Sequence, residues 1–186
     1  RVRRQRQMCI RDRHKLGAIA IPATNQLLEH DYVYRFDAAG VSAIVCTGDG
    51  DVTTHVEGAV KQCKSVKTLI CTGGPRPGWH DFDGELPAYS DKFERTEDTS
   101  CGDDPILMFF TSGTTGRSKG VMLSERNMCT SLCTYGARAE NWITSRLPEG
   151  QKLPLSHMTL LPLFHMACFV CVMSCLLYTS DAADEL

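Results

Sequence analysis

The feature that most constrains this chain is Phe110-Thr111-Ser112-Gly113-Thr114-Thr115-Gly116-Arg117-Ser118-Lys119-Gly120, a loop of hydroxyls and glycines between apolar runs. Ile106-Leu107-Met108-Phe109-Phe110 precedes it as a continuous apolar stretch, the pattern of a strand covered on both faces, and Val121-Met122-Leu123 resumes the apolar character after it. The loop therefore hangs from a buried sheet. Gly113, Gly116 and Gly120 let backbone N–H groups approach an anion, in conformations that other residues resist. Thr111, Ser112, Thr114 and Thr115 add hydroxyl donors, and Arg117 and Lys119 supply positive charge. These are the parts of a phosphate cradle. The spacing is not that of a Walker A loop, because Lys119 is followed by Gly120 rather than by Ser or Thr.

Thr-Ser-Gly-Thr-Thr-Gly-x-x-Lys-Gly at positions 111–120 resembles the signature loop of the adenylate-forming superfamily, which includes acyl-CoA synthetases, coumarate-CoA ligases, luciferases and peptide-synthetase adenylation domains. Ser118 stands where the family usually has Pro. Leu161-Pro162-Leu163-Phe164-His165, 46 residues after Lys119, resembles the family's next motif, in which a His or aromatic at a strand end lines the acyl pocket. The resemblance implies an α/β fold, part of the N-terminal domain of such an enzyme. It also implies a reaction in which ATP activates a small carboxylic acid as an acyl adenylate, pyrophosphate leaves, and coenzyme A accepts the acyl group. Carried over by motif, Thr111, Ser112, Gly113, Thr114, Thr115, Gly116 and Lys119 are the nucleotide contacts, and His165 borders the acyl group. Mg2+ would accompany the ATP, with its site largely outside this segment. No residue here is assigned a catalytic or metal-ligating role. The family's Tyr-Gly-x-Thr-Glu and Thr-Gly-Asp elements and its C-terminal adenylation lysine are not found in these 186 residues. The expectation is that this chain alone neither adenylates nor folds robustly.

The ends read differently from the middle. Residues 1–13 carry six Arg and one Asp with no apolar period, which could suggest a nucleic-acid arm, a transit peptide or a signal n-region. No apolar stretch with a cleavage site follows, since Gly17 to Pro22 is too short. Gln7 to Arg13 and Cys175 to Glu185 resemble translated sequencing-adapter DNA at the ends of metagenomic contigs. Residues 1–13 and 175–186 are therefore expected to be non-native, leaving 14–174 as a partial AMP-binding domain. Removing the six Arg, with Asp12, Asp181, Asp184 and Glu185, from 20 basic and 22 acidic residues leaves 14 against 18. That acidic remainder argues against nucleic acid as a ligand.

A 42% hydrophobic, 23% charged composition belongs to a globular chain. Ten cysteines spread through it, as at Cys46, Cys63 and Cys71, read as reduced, buried thiols of a cytoplasmic protein. His165-x2-Cys168-x2-Cys171-x3-Cys175 has ligand-like spacing but lies in an apolar stretch without a knuckle glycine, so no metal is assigned to it. The run from Met158 to Tyr178 is long enough to span a bilayer, yet Pro162 and His165 interrupt it, and a buried strand followed by a helix is the preferred reading.

Elsewhere, strands and helices alternate, which predicts a largely parallel sheet with flanking helices. Leu16 to Pro22 reads as a strand, Leu28, Tyr32, Phe36 and Ala39 as a helical stripe capped by Gly40, and Val41 to Cys46 as the next strand. Asp51 could cap a helix carrying Val52, Val56, Val60 and Cys63; a calcium loop from Asp49 fails because Val60 occupies the twelfth place. Val66 to Cys71 gives a third strand. Trp79 to Asp104 reads as a long surface connection with one helical turn near Phe93, and Ser124 as the cap of a helix running towards Trp142 with Met128, Leu132, Tyr135 and Ala139 on its stripe. Read from the residues alone, a non-catalytic nucleotide-binding α/β module stays open, as does a small membrane or metal-binding protein.

Overall fold

The computed structural model describes residues 17–90, 92, 94, 97, 99, 101–112, 116–148, 165–167 and 170. They belong to two compact units, one of Ala23–Glu94 and one of Arg1–Pro22 with Arg95–Leu186. The proposed terminal segments 1–13 and 175–186, Phe93, and Cys168, Cys171 and Cys175 lie outside the described residues.

The first unit is α/β. Helix α1 (Glu29–Ala39) leads to strand β1 (Ala43–Thr47), helix α2 (Val52–Val60), strand β2 (Thr68–Thr72), the short strand β3 (His80–Asp81), helix α3 (Phe82–Glu85) and a 3-10 turn at Leu86–Ala88. The three strands form a parallel sheet in the order β1-β2-β3, with Cys46 opposite Cys71 and Cys71 opposite Asp81. The β1–β2 connection passes through α2, as a parallel pair requires.

Helix α1 forms where its apolar period predicts. Tyr32 and Phe36 are buried, and Gly40 ends the helix in the left-handed region at φ 59°, its N–H donating to the Phe36 carbonyl. Leu28 departs from the expected stripe. It precedes the first turn in an extended conformation, so its side chain is out of phase with the helix; it is half exposed while Leu27 is buried in its place. On α2, Val52, Thr53, Val56 and Ala59 are buried, and Cys63 just beyond joins the same core with Leu27, Tyr32 and Phe36. Asp51 makes no side-chain cap hydrogen bond; its carbonyl accepts the N–H of His55 instead. Gly58 lies beneath the Glu29 carboxylate, where a Cβ would collide, and Gln62 Nε2 donates to that carboxylate at 2.6 Å.

Two carboxylates hold the stretch after β2, and one of them, Asp83, accepts the Gly73 N–H at 2.8 Å. Glu57 on α2 accepts hydrogen bonds from Arg76 Nε at 2.8 Å and Trp79 Nε1 at 2.9 Å. In the next segment, helical structure is found at 82–88. Glu85 fixes its start, accepting the Asp81 N–H at 3.0 Å and pairing with the His80 ring at 3.1 Å.

Cysteine burial is split. Cys63 and Cys71 are buried and Cys46 half-buried as expected, but Cys101, Cys129 and Cys133 are exposed, because their elements turn that side to solvent. All six are free thiols. Burial, then the neighbouring Cys71, pushes the Cys46 thiol up to about 12. Among the described residues no helix is long and apolar enough to cross a membrane.

The Arg76 hydrogen bond, followed by that of Trp79, holds the Glu57 carboxyl below its usual range. A carboxylate with a depressed folded pKa stabilises the fold above its unfolded pKa, and that contribution fades as pH falls through the folded value. In Arg76→Ala the Glu57 titration, followed by carboxyl NMR, is expected to move up, and the acid-dependent part of the unfolding free energy to shrink. An unmoved Glu57 titration would show that Arg76 does not hold it.

Candidate phosphate-binding site

The loop singled out in the sequence belongs to the second unit. Strands β4 (Pro105–Thr111) and β5 (Lys119–Ser124) pair antiparallel, from Pro105 opposite Ser124 to Thr111 opposite Lys119, with a register shift between Pro105 and Leu107. Unlike the parallel sheet of the first unit, this pair is antiparallel. The chain turns straight back through residues 112–118, and so short a return permits only an antiparallel partner. On the other side of β4 the parallel pairing is kept: Ala20 N donates to Ile106 O at 3.0 Å and Met108 N to Ala20 O at 2.9 Å. The strand expected over Leu16 to Pro22 is reduced to this one bridge within its described part.

Beneath the hairpin is a small apolar core. Ala20, Ile106, Leu107, Phe109 and Met128 are buried together, with Leu123, Met166 and Val170 packed against them. The continuous apolar run of β4 is thus explained by cover on both faces, with Leu107 fully enclosed. Val121 and Met122 of β5, by contrast, are exposed at 43% and 61%.

The foot of the hairpin is tied to helix α4 (Glu125–Thr144). Ser124 caps this helix as expected: Asn127 N donates to Ser124 Oγ at 3.2 Å, and Ser124 N donates back to Asn127 Oδ1 at 3.1 Å. This reciprocal pair is a capping box with Asn in the third position, a signal legible as Ser-x-x-Asn. The turn before β4 adds three backbone ties. Arg126 N donates to Gly102 O at 2.7 Å, Glu125 N to Asp104 O at 3.2 Å, and Gly102 N to Glu125 Oε2 at 2.9 Å. Arg126 also grips Asp103 through Nε at 2.8 Å and Nη2 at 3.3 Å, which holds the Asp103 carboxyl below its usual range. Along α4, Met128 and Leu132 are buried as expected, but Tyr135 is 40% exposed and Gly136 is buried in its place, since the buried stripe runs at steps of four.

At the other end of the hairpin the candidate phosphate contacts are open to solvent. Thr111, Ser112, Gly116 and Lys119 are all exposed, and Gly113, Thr114 and Thr115 lie outside the described residues. Thr111 Oγ1 donates to Lys119 O at 3.4 Å, closing the last rung of the ladder. Gly116 sits at φ 95°, which an L side chain rarely adopts, so glycine is needed there for the turn. Gly120 also has a close neighbour across the ladder. It lies in β5 under Met108, and a Cβ there would stand 2.5 Å from the Met108 methyl. Lys119 has no ion-pair partner among the described residues.

His165 is exposed, and its Nδ1 accepts the N–H of Ala167 at 3.2 Å, capping the turn that follows. Met166 and Val170 pack on the core beneath the hairpin, so the segment after His165 and the loop share one support. No hydrogen bond joins His165 to the loop among the described residues. A groove of about 530 Å3 elsewhere on this unit is lined by Thr130, Thr134, Tyr135 and Arg138 of α4 with Ala167 and Val170, and by none of the candidate residues.

A glycine- and hydroxyl-rich stretch with a lysine at its exit thus follows the buried strand of an α/β chain. The chain belongs to the AMP-binding enzyme family, whose model matches residues 14–181. It is 34% identical over 123 residues to the mitochondrial acyl-coenzyme A synthetase ACSM5 of Rattus norvegicus, covering 66% of this chain and 19% of that one. Among solved structures it resembles the anthranilate CoA ligase AuaEII in complex with anthranoyl-AMP, with a TM-score of 0.60 at 21% identity over 66% of this chain and 23% of that one. It also resembles the inhibitor-bound N-terminal domain of FACL13 from Mycobacterium tuberculosis, with a TM-score of 0.56 at 22% identity over 86% of this chain and 36% of that domain's chain. These likenesses establish the fold as that of an adenylate-forming N-terminal domain. The chain spans about a fifth of the length of the curated relatives it matches.

Two variants test how the hairpin is supported. Leu107→Ala, at a position with 0% exposure, is expected to lower the unfolding free energy by about 2–5 kcal/mol, as large-to-small changes in closed cores do. Ser124→Ala removes the cap and should cost about 1 kcal/mol. Urea unfolding measures both, and the ranking is the test: a Ser124 effect larger than that of Leu107 would place the support at the helix cap rather than in the core.

Proposed function

We propose that the complete protein is an acid-thiol ligase that uses ATP to activate a small carboxylic acid and then transfers the acyl group to coenzyme A. The observation that carries this reading is the Thr111–Gly120 loop, set between β4 and β5 in a chain that belongs to the AMP-binding enzyme family. The relatives' names support the acceptor: the rat protein is called an acyl-coenzyme A synthetase, and AuaEII is a CoA ligase found with an acyl-AMP.

In the first step a carboxylate oxygen of the acid attacks the α-phosphorus of ATP, and the bond to the bridging oxygen of pyrophosphate breaks. In the second, the coenzyme A sulfur attacks the acyl carbon, its proton departs to solvent, and AMP leaves. This chain's part is to hold the leaving group. The backbone of Gly113 and Gly116 and the hydroxyls of Thr111, Ser112, Thr114 and Thr115 would meet the β- and γ-phosphates. Lys119, exposed at the loop exit and without an ion-pair partner among the described residues, would offset the charge that builds on pyrophosphate as the bond breaks. His165 would border the acyl group, with its turn seated on the core that supports the loop.

Mg2+ enters this reading as the companion of ATP. The described residues contain no group of three or more His, Cys, Asp or Glu able to hold a metal, and no step is routed through it. The acidic balance of residues 14–174 disfavours nucleic acid as a partner. The free thiols of Cys46, Cys63 and Cys71 support a reducing compartment such as the cytoplasm. The acid itself, fatty or aromatic, is not specified by these residues.

The test is acid-dependent exchange of pyrophosphate into ATP by a longer protein carrying this segment. Lys119→Ala is expected to slow exchange roughly 10²-fold, the scale of losing one preorganised charge-stabilising group. Unchanged exchange would remove Lys119 from the site. The 186 residues alone are expected to show no exchange, and measurable acyl-CoA formation by them would overturn that part of the reading.

A further inference from the structure

Helix α4 carries two cysteines that the proposed chemistry does not use. Cys129 and Cys133 are free and exposed, and they stand four residues apart in a 20-residue helix. At that separation they are offset by about 40° around the axis and about 6 Å along it. Their Cβ atoms are then neighbours, about 5–6 Å apart, so their sulfurs can converge on one atom. The other described thiols offer no such pair: Cys63 and Cys71 are buried, Cys46 is half-buried, and Cys101 is exposed with no cysteine one helical turn away.

We propose that Cys129 and Cys133 form a two-thiol site on the solvent face of α4 for a soft, thiophilic metal or metalloid, of which trivalent arsenic is the probe. An aryl arsenic oxide condenses with two thiols: both S–H bonds and the arsenic–oxygen bond break, two arsenic–sulfur bonds form, and the oxygen leaves with both protons as water. Arsenic stays trivalent and nothing is oxidised or reduced. A single cysteine cannot complete the step, which makes the spacing the discriminating feature.

Phenylarsine oxide added to the full chain tests the site. Trypsin cleavage after Arg126 and Arg138 then releases residues 127–138, which contain Cys129 and Cys133 and no other cysteine. The expected result is one phenylarsenic bridge per chain on that peptide, two thiols consumed, and release by ethanedithiol. Cys129→Ser or Cys133→Ser alone should abolish the bridge on this peptide. The double variant Cys133→Ser with Thr134→Cys keeps two thiols in the same peptide but rotates the second to about 140° from the first, and should bind at least about tenfold more weakly. Equal binding by this phase-shifted variant, or a bridge that forms mainly on other cysteines, would overturn the proposal.

Discussion

A loop proposed to bind phosphate would set two opposing demands, and β4 is where this unit meets them. The loop must keep its N–H groups and hydroxyls exposed, which leaves little to hold it in place. Its stems must then be held by burial. Ile106, Leu107 and Phe109 meet that need by burying β4 in one cluster with Ala20 and Met128 of α4. The hydrophobic effect thus acts a few residues from where the polar work is done. Among the described loop residues, Gly116 takes a positive φ and Thr111 pairs with Lys119 as the closing rung.

The second support lies at the opposite end of the hairpin. The 101–104 turn, the Ser124–Asn127 capping box and the Arg126–Asp103 pair tie the start of β4 to the start of α4. The ion pair is highly exposed and adds little stability by itself. Its fork fits the carboxylate in two places, however, so its value is directional. With the base set in this way, the N-terminus of α4 and the first residue of β4 cannot slide independently, and the register of the hairpin is protected.

Much of this could be read in the residues before any coordinates. The α1 stripe with its Gly40 cap, the buried run of β4, the Ser124 cap and the exposed loop all follow from local patterns that a short window contains. The failures share a cause. Leu28 lies just before the helix phase begins, and Tyr135 yields to Gly136 in the buried stripe. Each depends on a neighbour distant in sequence or on a phase set by packing, and neither is written in composition.

By itself the sequence determined the chemistry of the loop from Thr111 to Gly120, because hydroxyl, glycine and lysine at fixed spacing specify donors and charge wherever the backbone goes. It also determined which strand would be buried, since a run such as Ile106 to Phe110 cannot be left in water. Tertiary structure decided which strand pairs with it, which face of α4 is hidden, and which cysteines reach solvent. Those outcomes rest on contacts between segments far apart in the chain, and only packing can choose among them.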